Sequence, residues 1–544
     1  MHRFPFPALA VLAIAACSTT GTQPATTSSE DDAARRIEAD VRFLADDALE
    51  GREAGTRGFD IAAQYVVARM RAMGLEPAGE DGGWLQSVSM LKGVRKSEGA
   101  RFEVTRDGQT TALAFEQDFL PVQSYANPHV EITAPIVFVG FGVEAPELGH
   151  DDYAALDVKG KIVVVVNGAP ASFPNDQRAF HSSSARKSRV AIAHGAVGAV
   201  TMRDPDDEKK RPWSVDSGNW RRAAMRLVDA DGKPVDDFAE LVGRAAIRTD
   251  AAGVLFEGAT QSLAQVWEAR NAGTMKGFPL TGTLTIAAST EVTPVRSDNV
   301  VGRLPGRDAK RASEHLVLSA HLDHLGTGAA VAGDSVYNGA IDNALGIATM
   351  LDVAQRLVSG PPRRSVLFVA TTAEEKGLLG AQRFAREPTV SRESVVGNIN
   401  IDMPVLVAPG SAMIGWGAEH TSFGPQFERA AQALGLAVAP DPFPEEVVFV
   451  RSDQFRFIEQ GVPAIYLGTT AKPGDAAAKA AYATFLGTHY HLPSDDLAQA
   501  IDWAGAAALS RLATRVTRDA GDADARPSWN AGDFFGERFG NGAR

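Results

Sequence analysis

Apolar and polar positions follow two rhythms along this chain. Ile37, Val41, Leu44 and Leu49 fall near one face and predict a helix over 33–49. The run GREAGTRG interrupts it at 51–58. Ile61, Tyr65, Ala68 and Met73 then predict a second helix over 59–73, with Gly74 just past its end. From Val130 the texture changes. Runs of β-branched residues at 136–139 and 162–166, bounded by Gly, Asp and Asn, predict strands, and a helix is expected over 185–194. From Asn299 predicted strands at 316–320, 365–370, 395–401 and 463–467 alternate with predicted helices at 344–357, 377–386, 427–434 and 496–519. Such alternation predicts an α/β fold, a mixed, largely parallel central sheet flanked by helices. The outer pieces, 33–129 and 294–520, read as one domain interrupted by a β-rich insert at 130–293. Residues 521–544 read as a C-terminal tail without a clear period.

The first seventeen residues carry Arg3 and then an apolar run from Ala8 to Ala16, too short to span a membrane. Ile14-Ala15-Ala16-Cys17 resembles a bacterial lipobox. That resemblance implies a signal peptide over 1–16, cleavage before Cys17 and lipidation of its thiol. The Ser-, Thr- and Pro-rich stretch at 17–32 would be a flexible tether. The protein would be exported and face the periplasm or cell exterior, touching a membrane only through its lipid. Cys17 is the one cysteine among 544 residues, which excludes an intramolecular disulfide and a thiolate metal cage. A net charge of −13 argues against non-specific nucleic-acid binding.

Candidate chemistry gathers at predicted strand ends, where open α/β sheets place their ligands. The 316–320 strand runs into His321, Asp323 and His324. The 365–370 strand leads to Glu374 and Glu375, and the 395–401 strand ends at Asp402. Asp342 precedes a predicted helix, and His491 lies in THYHLPSDD ahead of the last one. Singly, each has an ordinary reading, such as a helix N-cap or a carboxylate favoured by the helix dipole. Together, on one sheet edge, they point to a metal held by His and carboxylate.

SAHLDHLG, NGAIDNALG, TTAEEKGLLGAQ, NIDM and YHLPSDD, in that order, resemble the co-catalytic zinc peptidases of metallopeptidase family 28. LEGREAGTRG and RSDQFRFIEQGVPAIYLG are similar to its other segments, and DVKGKIVVVV with AHGAVGAV resembles the protease-associated domain. The resemblance implies two zinc ions. His321 and Asp402 would hold one, His491 and Glu375 the other, and Asp342 would bridge them. Asp323 would orient His321 by accepting its second N–H. Glu374 would be the general base, and Tyr490 a donor to the tetrahedral oxyanion. Two such ions outweigh three carboxylates, so the surplus positive charge lowers the pKa of water there. His324 reads as a nearby polar residue, and Asp495 or Asp496 as the N-cap of the last helix. The function implied is a zinc exopeptidase acting on peptides, with aminopeptidase ranked first. A carboxypeptidase, a glutaminyl cyclase of the same fold and a non-catalytic peptide-binding relative are the alternatives. The insert would serve substrate access or protein contact.

Overall fold

The computed structural model describes residues 29–444 and 447–540. Cys17, the expected signal peptide and most of the tether lie outside the described residues. One fifteen-stranded sheet organises the rest. Its catalytic-side portion runs in the order Ala412–Trp416, Ala464–Thr470, Val395–Ile401, His315–His321, Ser365–Thr371 and Phe278–Leu304. The middle four are parallel to one another, and the two flanking strands are antiparallel. All four parallel strands are buried along their whole length. That explains why they read as unbroken apolar runs rather than as alternation.

The chain leaves the His315–His321 strand for the Ser365 strand on one side, and then crosses to the Val395 strand on the other. A reversal of this kind opens a crevice at the carboxyl ends of the strands. The helix Leu345–Leu357 packs in the main core with the helices Ser29–Leu44, Arg57–Ala72 and Trp503–Asp522. The helix Leu379–Arg386 covers the opposite face through Ala381, Phe384 and Ala385.

The two longest strands are among those not legible in the periodicity. Leu85–Arg106 and Phe278–Leu304 pair antiparallel from Leu85 against Val300 to Thr105 against Thr283. They carry the sheet out of the catalytic side and into the insert. There the strands His129–Phe138, Ile162–Val166, Gly198–Met202 and Gly243–Ile247 follow, around a separate core that includes Phe102, Phe119, Val164 and Leu284. The helix expected over 496–519 begins at Trp503 instead, and its N-cap is Asp502, which accepts the N–H of Gly505. Asp495 and Asp496 therefore do not cap it. Part of the expected tail is tied in as well: Phe535 is fully buried against Phe449 and Phe455. Among the described residues no helix is long and apolar enough to cross a membrane.

Candidate metal centre

The strand ends deliver their side chains to one buried point. His321 closes its strand with Nε2 at 3.0 Å from Asp402 Oδ1 and 3.2 Å from Asp342 Oδ1. Asp402 is the residue that follows the Val395–Ile401 strand. Asp342 turns its other oxygen, Oδ2, towards His491 Nε2 at 3.3 Å, and His491 lies 3.2 Å from Glu375 Oε2. One carboxylate thus faces two clusters. Ligand atoms about 2.1 Å from a tetrahedral zinc lie about 3.4 Å apart, close to these separations. The donor set is nitrogen and oxygen only, as the lone cysteine required.

His324, read from the sequence as a nearby polar residue, enters this constellation. It is fully buried, with Nδ1 2.8 Å from Glu375 Oε1 and 3.9 Å from Asp342 Oδ2. Neither of its ring nitrogens makes a well-aligned hydrogen bond. His321, Asp342 and Asp402 form one group able to hold a cation, and His324, Asp342 and Glu375 form another. Orphaned imidazole nitrogens beside buried carboxylates fit a cation site better than they fit a closed hydrogen-bond network.

The supporting contacts explain how three loops keep this register. Asp495 is fully buried and accepts the main-chain N–H groups of Ile341 and Asp342 at 2.9 and 3.0 Å. Burial pushes its carboxyl up to about 6. Ser452 donates to Asp402 Oδ2 at 2.5 Å, and Tyr466 donates to the Asp402 carbonyl at 2.8 Å. Arg52, from the GREAGTRG run, is 1% exposed and donates to the carbonyls of Leu44, Leu322, Asn338 and Gly339. It clamps the two loops that present His321 and Asp342. Burial lowers it to about 10, although the nearby carboxylates act to raise it. Nothing in its local sequence distinguished it from an ordinary surface arginine.

Asp323 differs from expectation in its contacts. The second nitrogen of His321 lies 3.1 Å from the Asp323 main-chain carbonyl and 3.9 Å from its carboxylate. The carboxylate instead accepts the N–H groups of Glu374 and Glu375, at 3.0 and 3.3 Å. It orders the two glutamates while its carbonyl orders the imidazole. Burial pushes it up to about 7. Glu374 is held well above the carboxylate range by burial and by the like charges of Asp402, Glu375 and Asp453. Burial alone would depress His491. The carboxylates Glu375 and Asp342 outweigh it and raise the ring to about 10. Tyr490 stacks on His491 with ring centroids 3.8 Å apart.

Comparison with known proteins follows this geometry. Residues 299–517 match the model of peptidase family M28, and residues 132–233 match the PA domain. An aminopeptidase from Aneurinibacillus sp. strain AM-1 has a similar fold, with a TM-score of 0.52 at 18% identity over 91% of this chain and 95% of that one. A glutamate carboxypeptidase 2 homolog of Caenorhabditis briggsae is 26% identical over 50% of this chain and 37% of its own length. The alkaline phosphatase isozyme conversion protein of Escherichia coli is 32% identical over 17% of this chain and 28% of its own. The chain thus spans well under two thirds of these curated relatives. Residues 299–517 thus carry a peptidase family M28 domain, and residues 132–233, ahead of it in the chain, a PA domain.

Proposed function

We propose that this protein is a zinc-dependent exopeptidase, first of all an aminopeptidase, that holds two zinc ions and releases N-terminal residues from peptides. The observation that carries the reading is Asp342, which offers one oxygen to the His321–Asp402 cluster and the other to the His491–Glu375 cluster. His321, Asp342 and Asp402 would hold one ion, and His491, Glu375 and Asp342 the other. Zinc bound there supplies a Lewis acid that polarises a carbonyl and acidifies water.

The chain's own residues do the rest. Glu374 takes a proton from the attacking water and passes it to the leaving amine. Asp323 fixes the main chain of Glu374 and Glu375, so that one carboxylate serves as ligand and its neighbour as base. Tyr490, beside His491, donates its O–H to the oxyanion of the tetrahedral intermediate. The separate second core supports reading the insert as its own unit, with catalysis confined to the outer pieces. In this reading the lipobox-like Cys17 tethers an exported enzyme to a membrane.

The test is a panel of aminoacyl-nitroanilides and N-blocked peptides, with zinc counted by plasma emission. Free N-termini should be required, two zinc ions should be found per chain, and Glu374→Gln should lower kcat by about 10²–10⁴ without loss of zinc. Cleavage of blocked peptides alone would favour a carboxypeptidase. A Glu374→Gln enzyme of full activity would refute the assignment of the base.

A further inference from the structure

A polar cavity of about 360 Å³ lies where the insert meets the segment that follows Glu375. From the catalytic side it is lined by Lys376, Gly377, Leu379, Gln382 and Arg456. From the insert it receives Lys187, Arg226, Tyr153 and the first turn of the helix Ser184–Ala193. The cations outnumber the anions. Asp236 is the single carboxylate in the lining, and it is already engaged by Arg189 at 2.7 Å and by Gln382 at 3.3 Å.

Several donors in this cavity lack an acceptor of matching charge. Lys187 is 7% exposed, and its amine donates only to the Val166 carbonyl, at 2.8 Å. It makes no ion pair among the described residues. Burial drives its amine down to about 7, so a partner anion would restore its charge. Arg226 donates to the Met225 carbonyl at 2.9 Å and lies over the Tyr125 ring, and its Nε is buried without a partner. Tyr153 is 2% exposed, and its hydroxyl is likewise buried without a partner. The helix N-terminus beside them adds the partial positive charge that anions seek. Val163, Val165, Ala199 and Phe238 line the remainder and leave room for an apolar body.

We propose that this cavity is a binding site for a small organic carboxylate with an apolar body, its charge met by Lys187, Arg226 and the Tyr153 hydroxyl. The site lies outside the metal centre. It adjoins the loop that presents Glu374 and Glu375, so its occupant touches Gly377 and Leu379 directly behind them. Inorganic phosphate is too small and too evenly charged to use the apolar wall.

The test is calorimetric titration of the full chain, both zinc-loaded and chelator-treated, with 4-methylpentanoate, its neutral amide and inorganic phosphate. One equivalent of 4-methylpentanoate should bind in both preparations, and the amide should not. Lys187→Met and Arg226→Met should each weaken binding at least tenfold, and Tyr153→Phe several-fold. Tyr153→Phe removes a single oxygen and keeps the test decisive should the Lys187 variant fail to fold. Three results would overturn the proposal: no binding, binding indifferent to these variants, or phosphate binding as tightly as the carboxylate. Binding lost with the metal but kept in the cavity variants would place the ligand at the metal centre instead. That outcome would refute this site while leaving the peptidase reading intact.

Discussion

His324 shows what a buried imidazole can do beside a ligand it does not replace. Its Nδ1 lies 2.8 Å from Glu375 Oε1, while Glu375 Oε2 faces His491 at 3.2 Å. One oxygen of Glu375 thus faces His491 and the other lies beside a fully buried imidazole. Partners of this kind orient ligands and change metal affinity by about 10- to 100-fold when removed. His324→Phe keeps the ring and removes both nitrogens. If two zinc ions are held as proposed, the one assigned to Glu375 and His491 should then be lost at roughly 10- to 100-fold lower chelator concentration, while the one assigned to His321 stays. Plasma emission after graded chelator treatment reads this as two ions falling to one before either would leave the parent protein. Equal retention of both ions would assign His324 to packing alone. The sequence placed His324 at the strand end but not its packing, which comes from long-range neighbours. Gly339 is the clearest of them: a side chain there would collide with the His324 ring.

At the scale of elements, His420 joins three separate pieces of chain. It follows the strand Ala412–Trp416. Its Nδ1 lies 2.5 Å from Asp533, ahead of the helix Phe534–Phe539, and its Nε2 lies 3.2 Å from Asp176, on the insert helix Asn175–Ser182. Burial acts against its charge, but the bonds and charges of Asp176 and Asp533 outweigh that and raise it to about 9. A folded-state pKa above the unfolded value of about 6.5 stabilises the fold fully below that value. The contribution fades as pH rises through about 9. It is on the order of 3 kcal/mol at its fullest. The urea midpoint should therefore fall between pH 6 and pH 9.5, and His420→Gln should flatten that fall. An unchanged pH profile in the variant would exclude the linkage. The same elements mark what was legible in the sequence. The buried parallel strands, Ile162–Val166 among them, lie where their β-branched runs place them. The strand Leu85–Arg106 did not announce itself, because its exposure changes irregularly as it passes from one core to the other. The metal ligands at strand ends could be read from order and spacing. The role of Arg52 could not, since its partners are main-chain carbonyls far away in sequence, and Asp495, read as a helix cap, instead holds the main chain of Ile341 and Asp342.

For the whole molecule, the question is whether two cores behave as two domains. Their apolar clusters are distinct, but the strands of 22 and 27 residues that join them belong to both. Those strands pair continuously apart from one irregularity between Ala287 and Ser289, so neither half can lose its sheet without exposing unpaired main chain in the other. A second seam reinforces the first. Phe180 of the insert packs with Ile414, Trp416 and Tyr466 of the catalytic side and with Phe535 near the C-terminus. We therefore expect one calorimetric unfolding transition rather than two. Phe180→Ala, a change inside the insert, should cost about 3 kcal/mol and move that whole transition down. Zinc at the proposed centre should move the same transition up by mass action, because it would bind the folded state. Two resolved transitions, with Phe180→Ala shifting one and zinc shifting the other, would show that the shared strands do not couple the halves. A single transition shifted by both would mean that disturbance in the insert reaches the metal centre through stability alone, without any contact between a substrate and the insert.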